Sequence, residues 1–467
     1  MGVGDPSLLL VVLVSSLAGT GAGFLAGLVP GLHMNNLAAL LSAYAGSCIG
    51  LFGTLAMAFG SSDAAVAVSS FLSAALIAHI LSESVSSTYV GIPSGDVISV
   101  LPAHRLAKSG LGRSAVRASA DGALAGVLAS TLVLFPACLL MGEPVGFYGL
   151  LRQGMAAIVM FFSCVLLVSE GAVPVGPSQR HSRVTRVLRG AMIFTAAGLL
   201  GYIVLKSNYY SFEMPDLPWL QNGFVPKDSL LLPMFAGLFG IPSLILSLGS
   251  ARLTDFKIRG DCVHLHTPRA KDYVLSLLGG AIVGWMPGMT SGAAATLCAP
   301  TMRETVHRGD IASSLRFIWL YSSMSASGAV FALGALFTIL RARSGTMDAV
   351  EMFLGRTLDN SAWPASGPLM LALAMSMLLS ALVAHTVVRL LNERFRGVRD
   401  FMGSKVVALA SLAFVVSLSV ALTGARGALV MLAAISLGLL PPLIGVRRIQ
   451  LMGCLLIPIA ATLIGSM

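Results

Sequence analysis

Residues 8–36 read LLLVVLVSSLAGTGAGFLAGLVPGLHMNN, in which an apolar run from Leu8 to Val29 ends at Pro30 and Gly31. About 20 apolar residues in a helix cross the roughly 30 Å hydrocarbon core of a bilayer, so the run predicts a membrane-spanning helix. Proline removes a backbone donor and glycine reaches φ angles that other residues avoid, so the pair ends that helix. In hydrocarbon, the freed backbone groups are tolerated only where the break lines a cavity or is buried in protein. The stretch therefore predicts a broken helix in a membrane protein.

The rest of the 467-residue chain has the same apolar character. It is 56% hydrophobic and 11% charged, whereas about a quarter of the residues are charged in a soluble domain of ordinary composition. Further long apolar blocks follow the first, and none shows the roughly ten-residue alternation of polarity that a transmembrane β-strand requires. We therefore predict an all-α polytopic membrane protein with about 10–12 transmembrane segments.

The basic residues behind the formal net charge of +10 are concentrated in four hydrophilic loops, at residues 102–117, 176–189, 251–272 and 389–405. Two apolar segments separate the first loop from the second, and two more separate the second from the third, which places these three on one side. The positive-inside rule predicts that this side is cytoplasmic. We expect a multi-pass protein of the cell membrane, surrounded by lipid, with all four loops in the cytoplasm. No basic run is interleaved with exposed aromatic residues, so nucleic acid is not an expected partner.

The Pro-Gly break occurs a second time. Residues 27–36 read GLVPGLHMNN and residues 284–292 read GWMPGMTSG, so both have the form G-x-x-P-G, at a constant separation of 257 residues. One such break is typical of a simple proline kink, but paired breaks in two halves are typical of transporters built from internal repeats. The second break follows a basic loop, and the first does not. We therefore predict two inverted, pseudo-symmetric halves, residues 1–250 and 251–467, each with a Pro-Gly-broken re-entrant hairpin.

Polar residues stand directly after each break, where a new helix begins. The unpaired N–H groups and the positive end of the helix dipole favour an anion there. The structural alternative is that asparagine caps the new helix, and that serine or threonine satisfies its own helix. The predicted substrate-binding residues are Pro30, Gly31, His33, Asn35 and Asn36 in the first half and Pro287, Gly288, Thr290, Ser291 and Gly292 in the second.

A third interrupted stretch, residues 86–96, is rich in serine and resembles residues 322–345 only loosely. Ser94 lies in this stretch, and Arg105 lies in the basic loop after it. We add both to the predicted substrate-binding residues, with Arg105 in contact with an anionic headgroup. The alternative role of Arg105 is topogenic, as one of the basic residues that orient the chain in the membrane.

Two ionisable residues stand inside an apolar segment. His79 and Glu83 are four residues apart, so they share one helix face. Because ionisable side chains inside a membrane are costly, they indicate a function. We predict ion coupling through Glu83 and His79, with H⁺ or Na⁺ as the coupling ion. The alternatives are a buried pair that fixes helix packing, an interfacial pair at the membrane edge, and the active site of an intramembrane hydrolase.

Other chemistry is not indicated by the sequence. There is no G-x-x-x-x-G-K-[ST] loop for ATP hydrolysis, and no nucleophile motif is evident. The six cysteines are scattered without C-x-x-C spacing, which favours neither a zinc site nor a disulfide framework. We expect no cofactor, no metal and no enzymatic activity.

Several short phrases resemble a known family. The G-x-x-P-G breaks, GIPSG at residues 91–95 with HRLAKSG at residues 104–110, and GLFGIP at residues 237–242 are similar to phrases of the TctA family, the large permease subunit of tripartite tricarboxylate transporters. The chain looks most like a divergent, archaeal-type member, and Pro93-Ser94 stands where the family usually has Pro-Gly. The resemblance implies an organic carboxylate as substrate, with a small membrane subunit and an extracellular binding protein as partners.

A weaker similarity links residues 30–44 and 289–293 to proteins that return polyprenyl-phosphate carriers across the bilayer, which implies a lipid phosphate as substrate. We predict a secondary transporter that moves an anionic substrate by alternating access at a site between the two hairpins. Translocation of a polyprenyl-phosphate lipid is the alternative function, and intramembrane hydrolysis is the least favoured.

Overall fold

The computed structural model describes residues 5–90, 97–171, 182–207, 230–248, 268–286, 289–298, 311–359, 363–394 and 404–465. These residues form helices joined by short turns, and no β-strand occurs in any of the ranges. The prediction of an all-α chain is therefore confirmed.

The helices of the first 250 residues follow the apolar blocks of the sequence. The first one begins at Pro6 because Oδ1 of Asp5 accepts a hydrogen bond from the Ser7 N–H at 3.0 Å, and because proline is favoured at the first helical position. A π-helical segment, Ala236–Gly240, joins the last two helices of this part. In chain order the helices are α1 (Pro6–Leu28), α2 (Met34–Ala43), α3 (Ala45–Ala58), α4 (Ala64–Val90), α5 (Val97–Lys108), α6 (Gly112–Met141), α7 (Phe147–Gln153), α8 (Met155–Gly171), α9 (Arg183–Ser207), α10 (Leu231–Phe235) and α11 (Ile241–Leu248).

The second part of the chain continues the series with equally long helices. Its first helix begins where the Arg269 N–H donates to Oδ2 of Asp272 at 3.0 Å. A 3₁₀ helix, Arg448–Met452, separates the last two α-helices. The helices are α12 (Ala270–Trp285), α13 (Ser291–Cys298), α14 (Ile311–Ile339), α15 (Gly345–Asp359), α16 (Gly367–Arg394), α17 (Lys405–Ile444) and α18 (Gly453–Gly465).

Eight helices of the described ranges are long and apolar enough to cross a membrane, and the α7–α8 pair, bent by 69°, makes up to nine. The chain is therefore a polytopic membrane protein, as predicted. The expected number of about 10–12 segments is higher than this count, which covers the described ranges alone.

α17 contains a sharp reversal at Gly424, where φ is 61° and ψ is −155°. Val415 packs in one buried cluster with Ala236 and Ile241, and Gly438 packs on the neighbouring Leu238. In a straight helix, residues 415 and 438 would be about 35 Å apart. Because both contact the same short segment, the two arms of α17 run back along each other. The reversal uses a backbone conformation that is open essentially to glycine alone.

α1 and α4 pack closely along a row of glycines on α1. An added Cβ on any of these glycines would overlap the backbone or a side chain of α4, so the small residues let the two backbones approach, as is common between membrane helices. The contacts rise together in residue number, which makes the two helices parallel. They are Gly19 to Phe71, Gly23 to Ala75 and Gly27 to His79.

α12 and α14 pack in the same manner in the second part of the chain. Two glycines of α12 face α14 at the same four-residue spacing, and these helices are also parallel. The contacts are Gly280 to Ser327 and Gly284 to Phe331, and the Oγ atoms of Ser276 and Ser323 are hydrogen-bonded one turn earlier.

The contacts of α16 give the direction of α4 relative to α6. α6 and α16 are antiparallel, through Asp121–His385 at 2.8 Å and Arg113–Asn392 at 3.0 Å. α4 and α16 are parallel, through Ala74–Ser380 at 2.6 Å and Tyr89–Asn392 at 3.2 Å. α4 therefore runs opposite to α6.

α6 in turn is parallel to α14, since Gly122 packs on Trp319 and Gly126 on Ser323. The parallel pair α1–α4 therefore runs in the opposite direction to the parallel pair α12–α14. The helices that follow each pair pack on the other pair. α5 and α6 follow α4 and pack on α14, while α15 and α16 follow α14 and pack on α4.

Candidate functional site

The first break lies between α1 and α2 and is buried. α1 ends at Leu28 and α2 begins at Met34, and Gly31 adopts φ +82° between them. A Cβ on Gly31 would lie 3.4 Å from Cδ1 of Leu244 and 3.9 Å from Cα of Gly240. These contacts belong to the π-helical segment and the start of α11, and π-helical turns occur frequently at functional sites. The break is thus buried in protein, as the sequence predicts for an interrupted membrane helix.

Two predicted substrate-binding side chains of the first break act as helix caps. Nδ1 of His33 accepts a hydrogen bond from the Asn35 N–H at 3.1 Å, so in a neutral imidazole Nε2 carries the proton. Oδ1 of Asn35 accepts hydrogen bonds from N and Oγ1 of Thr346, at 3.2 and 3.1 Å, at the start of α15. Asn36 belongs to α2, and its side chain lies outside the described residues.

The second break has the same form at its edges. α12 ends at Trp285 and α13 begins at Ser291, which are the positions that correspond to the end of α1 and the start of α2. The Thr290 carbonyl accepts from the Ala294 N–H at 2.9 Å in the first turn of α13. Thr290 and Ser291 are half-buried and Gly292 is buried. Pro287, Gly288 and Ser94 lie outside the described residues, and Arg105 is exposed on α5.

The first break stands beside the predicted ion-coupling pair. Nε2 of His79 is 3.8 Å from Oε2 of Glu83, one turn apart on α4. His79 is 2% exposed, and neither ring nitrogen makes a hydrogen bond to a described residue. The ring of His33 lies 5.9 Å from that of His79, between centroids. The break thus brings a second histidine to the pair, which the sequence alone did not connect.

A cavity between α4, α5, α6 and α14 adjoins this cluster, and Glu83 is one of its lining residues. Ser119 and Ser322, from α6 and α14, are hydrogen-bonded to each other at 2.7 Å. Ser322 begins one of the interrupted stretches named from the sequence, whereas Ser119 belongs to neither, so only the packing of α6 on α14 brings the two hydroxyls together. The other hydroxyl-bearing residues of the lining include Ser84, Ser87, Thr88 and Ser325.

His104 on α5 contacts Thr88, a residue of the cavity lining. Its Nδ1 lies 3.2 Å from the Thr88 carbonyl oxygen. Burial lowers the pKa of the His104 imidazole below its ordinary value, so this ring is neutral at pH 7 and donates Nδ1–H to the carbonyl. The predicted residues are therefore only partly brought together: Glu83 lines the cavity, while His33, Asn35, Thr290 and Ser291 do not line it.

Comparison with known proteins gives one family. The family described as "Tripartite tricarboxylate transporter TctA family" matches residues 13–453. The protein MJ1079 of Methanocaldococcus jannaschii, which is described as uncharacterized, is 23% identical over 342 residues, which cover 73% of this chain and 72% of that protein. No solved structure matches the chain. The similarity to polyprenyl-phosphate carriers stays a prediction from two short phrases. The chain belongs to the TctA family of tripartite tricarboxylate transporters and is a transporter rather than an enzyme.

Proposed function

We propose that the chain is a secondary transporter that moves an organic carboxylate across the cell membrane by alternating access, at a site between two broken-helix hairpins. The observation that carries this proposal is the position of the first break. It lies against His79 and Glu83, and Glu83 opens into a hydroxyl-lined cavity built by helices of both parts of the chain. Hydroxyl donors suit a carboxylate, and the name of the matched family supports a tricarboxylate as the substrate.

The proposed halves are residues 1–250 and 251–467, related by inverted topology. Three observations support this proposal. The pair α1–α4 runs opposite to the pair α12–α14, both pairs close on glycines spaced four apart, and the helices that follow are exchanged between them. Inverted repeats of this kind give a transporter two equivalent conformations, in which the site opens to one side or to the other.

Glu83 supports a proton as the coupling ion, in preference to sodium. A carboxylate substrate in the cavity would stand close to the Glu83 carboxylate, and two like charges 4 Å apart repel by about 4 kcal/mol at an effective dielectric constant of 20. Protonation of Glu83 removes this repulsion. We propose that the transporter takes up the anion when Glu83 is protonated and releases it when the proton leaves, with His79 as the adjacent proton acceptor.

The family works as tripartite systems, with a binding protein and a small membrane subunit. We propose the same two partners for this chain, with the binding protein outside the cell and the basic loops in the cytoplasm. No described contact favours a lipid phosphate over a soluble anion, so translocation of polyprenyl phosphate is not proposed.

The test is counterflow of labelled citrate into proteoliposomes that contain the purified chain, measured with and without an inward-directed proton gradient. We expect the gradient to accelerate uptake by the wild type and to have no effect on Glu83→Gln, which cannot release a proton. Glu393→Gln is the matched control, because Glu393 is exposed and pairs only with Arg389 among the described residues. Gradient-driven uptake by Glu83→Gln would remove Glu83 from the coupling mechanism.

A second variant tests the site itself. Asn35, Asn36 and Ser291 changed together to alanine should abolish citrate counterflow if the two breaks form the anion site. Full activity of this triple variant, with labelled polyprenyl phosphate tested in parallel, would exclude these residues from the site.

A further inference from the structure

Arg448 is a buried positive charge at the junction of α17 and α18. It is 9% exposed and begins the 3₁₀ helix. Its Nη1 donates to Oγ of Ser243. Within the described ranges, no carboxylate lies within 4.0 Å of its guanidinium. A guanidinium stays charged and carries five N–H donors, whereas the described residues offer it one hydroxyl acceptor and no carboxylate.

The neighbouring arginine shows the contrast. Glu170, at the end of α8, is 2% exposed and accepts hydrogen bonds from N and Nε of Arg447, both at 3.0 Å, and from Nε2 of Gln450 at 2.9 Å. The carboxylate of this network is therefore fully engaged by Arg447 and Gln450. Arg447 therefore pairs with a carboxylate, whereas the adjacent Arg448 donates to a serine hydroxyl. A buried, unpaired charge inside a membrane protein is costly and marks a functional site.

The position of Arg448 relates it to both breaks. Its partner Ser243 lies in α11 between Gly240 and Leu244, which contact Gly31 of the first break. The 3₁₀ helix that carries Arg448 packs on α5 and α8, and α13, which follows the second break, packs on the same two helices. α5 also lines the hydroxyl-bearing cavity through Ala103. The uncompensated charge thus lies where elements that touch each break converge.

We propose that Arg448 binds a carboxylate group of the transported anion, with Ser243 as a second donor. A guanidinium presents two parallel N–H groups that match the two oxygens of a carboxylate. The bound anion supplies the counter-charge that the described protein lacks. This inference rests on the proposed function and adds to it the residue that neutralises the substrate.

The test measures anion binding separately from transport. The purified full chain in phosphatidylethanolamine–phosphatidylglycerol nanodiscs is titrated with citrate, and separately with inorganic phosphate, and the thermal unfolding midpoint gives an apparent Kd. Arg448→Gln should weaken citrate binding by about 10- to 100-fold, the range for loss of a hydrogen bond to a charged group. Arg448→Lys should bind citrate with an intermediate Kd, because lysine keeps the positive charge but lacks the two parallel N–H donors of arginine. Arg389→Gln, at a half-buried arginine that pairs with the exposed Glu393, should bind as the wild type does.

A second pair of variants keeps Arg448 in place. Ser243→Asp supplies an internal carboxylate, so the unliganded midpoint should equal or exceed that of the wild type while the response to citrate disappears. Ser243→Asn, of the same size without the charge, should still respond to citrate. These variants keep the proposal testable if Arg448→Gln does not fold.

The outcomes separate the two proposals. Citrate binding that depends on Arg448, without any citrate counterflow in liposomes, supports the role of Arg448 and overturns the proposed transport. Wild-type Kd values for Arg448→Gln and Ser243→Asp overturn the role of Arg448 and leave transport standing. Stabilisation by phosphate alone, or by neither anion, also overturns the carboxylate assignment.

Discussion

Replacing Gly23 with alanine tests whether the close contact of α1 with α4 sets the position of the first break. A Cβ on Gly23 would lie 2.6 Å from Cα of Ala75 and would overlap its carbonyl oxygen. Because these are backbone atoms of a packed helix, α1 and α4 must separate. Such overpacking costs about 1–3 kcal/mol, and alanine regains about 1 kcal/mol over glycine in a helix. We expect a net loss of up to about 2 kcal/mol in the free energy of unfolding.

The matched control is Gly21→Ala on the same helix. Gly21 is exposed, and an added Cβ there meets nothing within 4 Å. This variant gains the helix propensity and has no packing cost, so the difference between the two variants isolates the packing term of about 1–3 kcal/mol. Reversible unfolding in mixed detergent micelles measures both. Separation of α1 from α4 should also move Gly27 away from His79, so we expect weaker citrate binding by Gly23→Ala and unchanged binding by Gly21→Ala. Equal stability of the two variants would refute the described packing of α1 on α4.

Three further substitutions test other parts of the structure. Nε of Arg316 donates to the fully buried Asp272 at 3.0 Å. Asp272→Asn leaves Arg316 beside a neutral side chain, so we expect a loss of about 3–5 kcal/mol in unfolding free energy. An unchanged unfolding midpoint would contradict the buried pair. Gly424→Ala should lower the free energy of unfolding by about 1–3 kcal/mol because φ is 61° there. Gly46→Ala, at a glycine with open space around it, should not lower it. Similar unfolding midpoints of the two variants would argue against the reversal in α17. Asn35→Ala removes the acceptor for Thr346 and should lower the free energy of unfolding by about 1 kcal/mol, while Asn35→Asp keeps an acceptor and the stability. If the stable aspartate variant loses citrate uptake, Asn35 lies at the anion. If its uptake is unaltered, Asn35 is only a helix cap.

The ionisable pair was predictable because its spacing is local. Residues four apart on a helix meet whatever the rest of the fold does, and His79 and Glu83 lie 3.8 Å apart. The approach of His33 was not predictable in the same way. It depends on the register between α1 and α4, and that register is set by the glycine contacts along their whole length.

Arg448 and Glu170 were missed for a related reason. Each stands near the end of an apolar stretch, where a charged residue usually faces the membrane surface and sets the orientation of the chain. Burial distinguishes them, and burial follows from helices distant in sequence. The signal that was available was the presence of ionisable residues beside Gln450 in a segment that is otherwise apolar.

The sequence by itself determined the membrane class, the helical content and the two breaks, because hydrocarbon excludes unpaired backbone groups and proline and glycine act locally. It also indicated the family through short phrases, and the comparison confirmed that family. The tertiary structure alone decided which helices run together, which hydroxyls share a cavity and which arginine has no carboxylate beside it in the described ranges. Those properties depend on the packing of segments hundreds of residues apart, and no local pattern of residues encodes them.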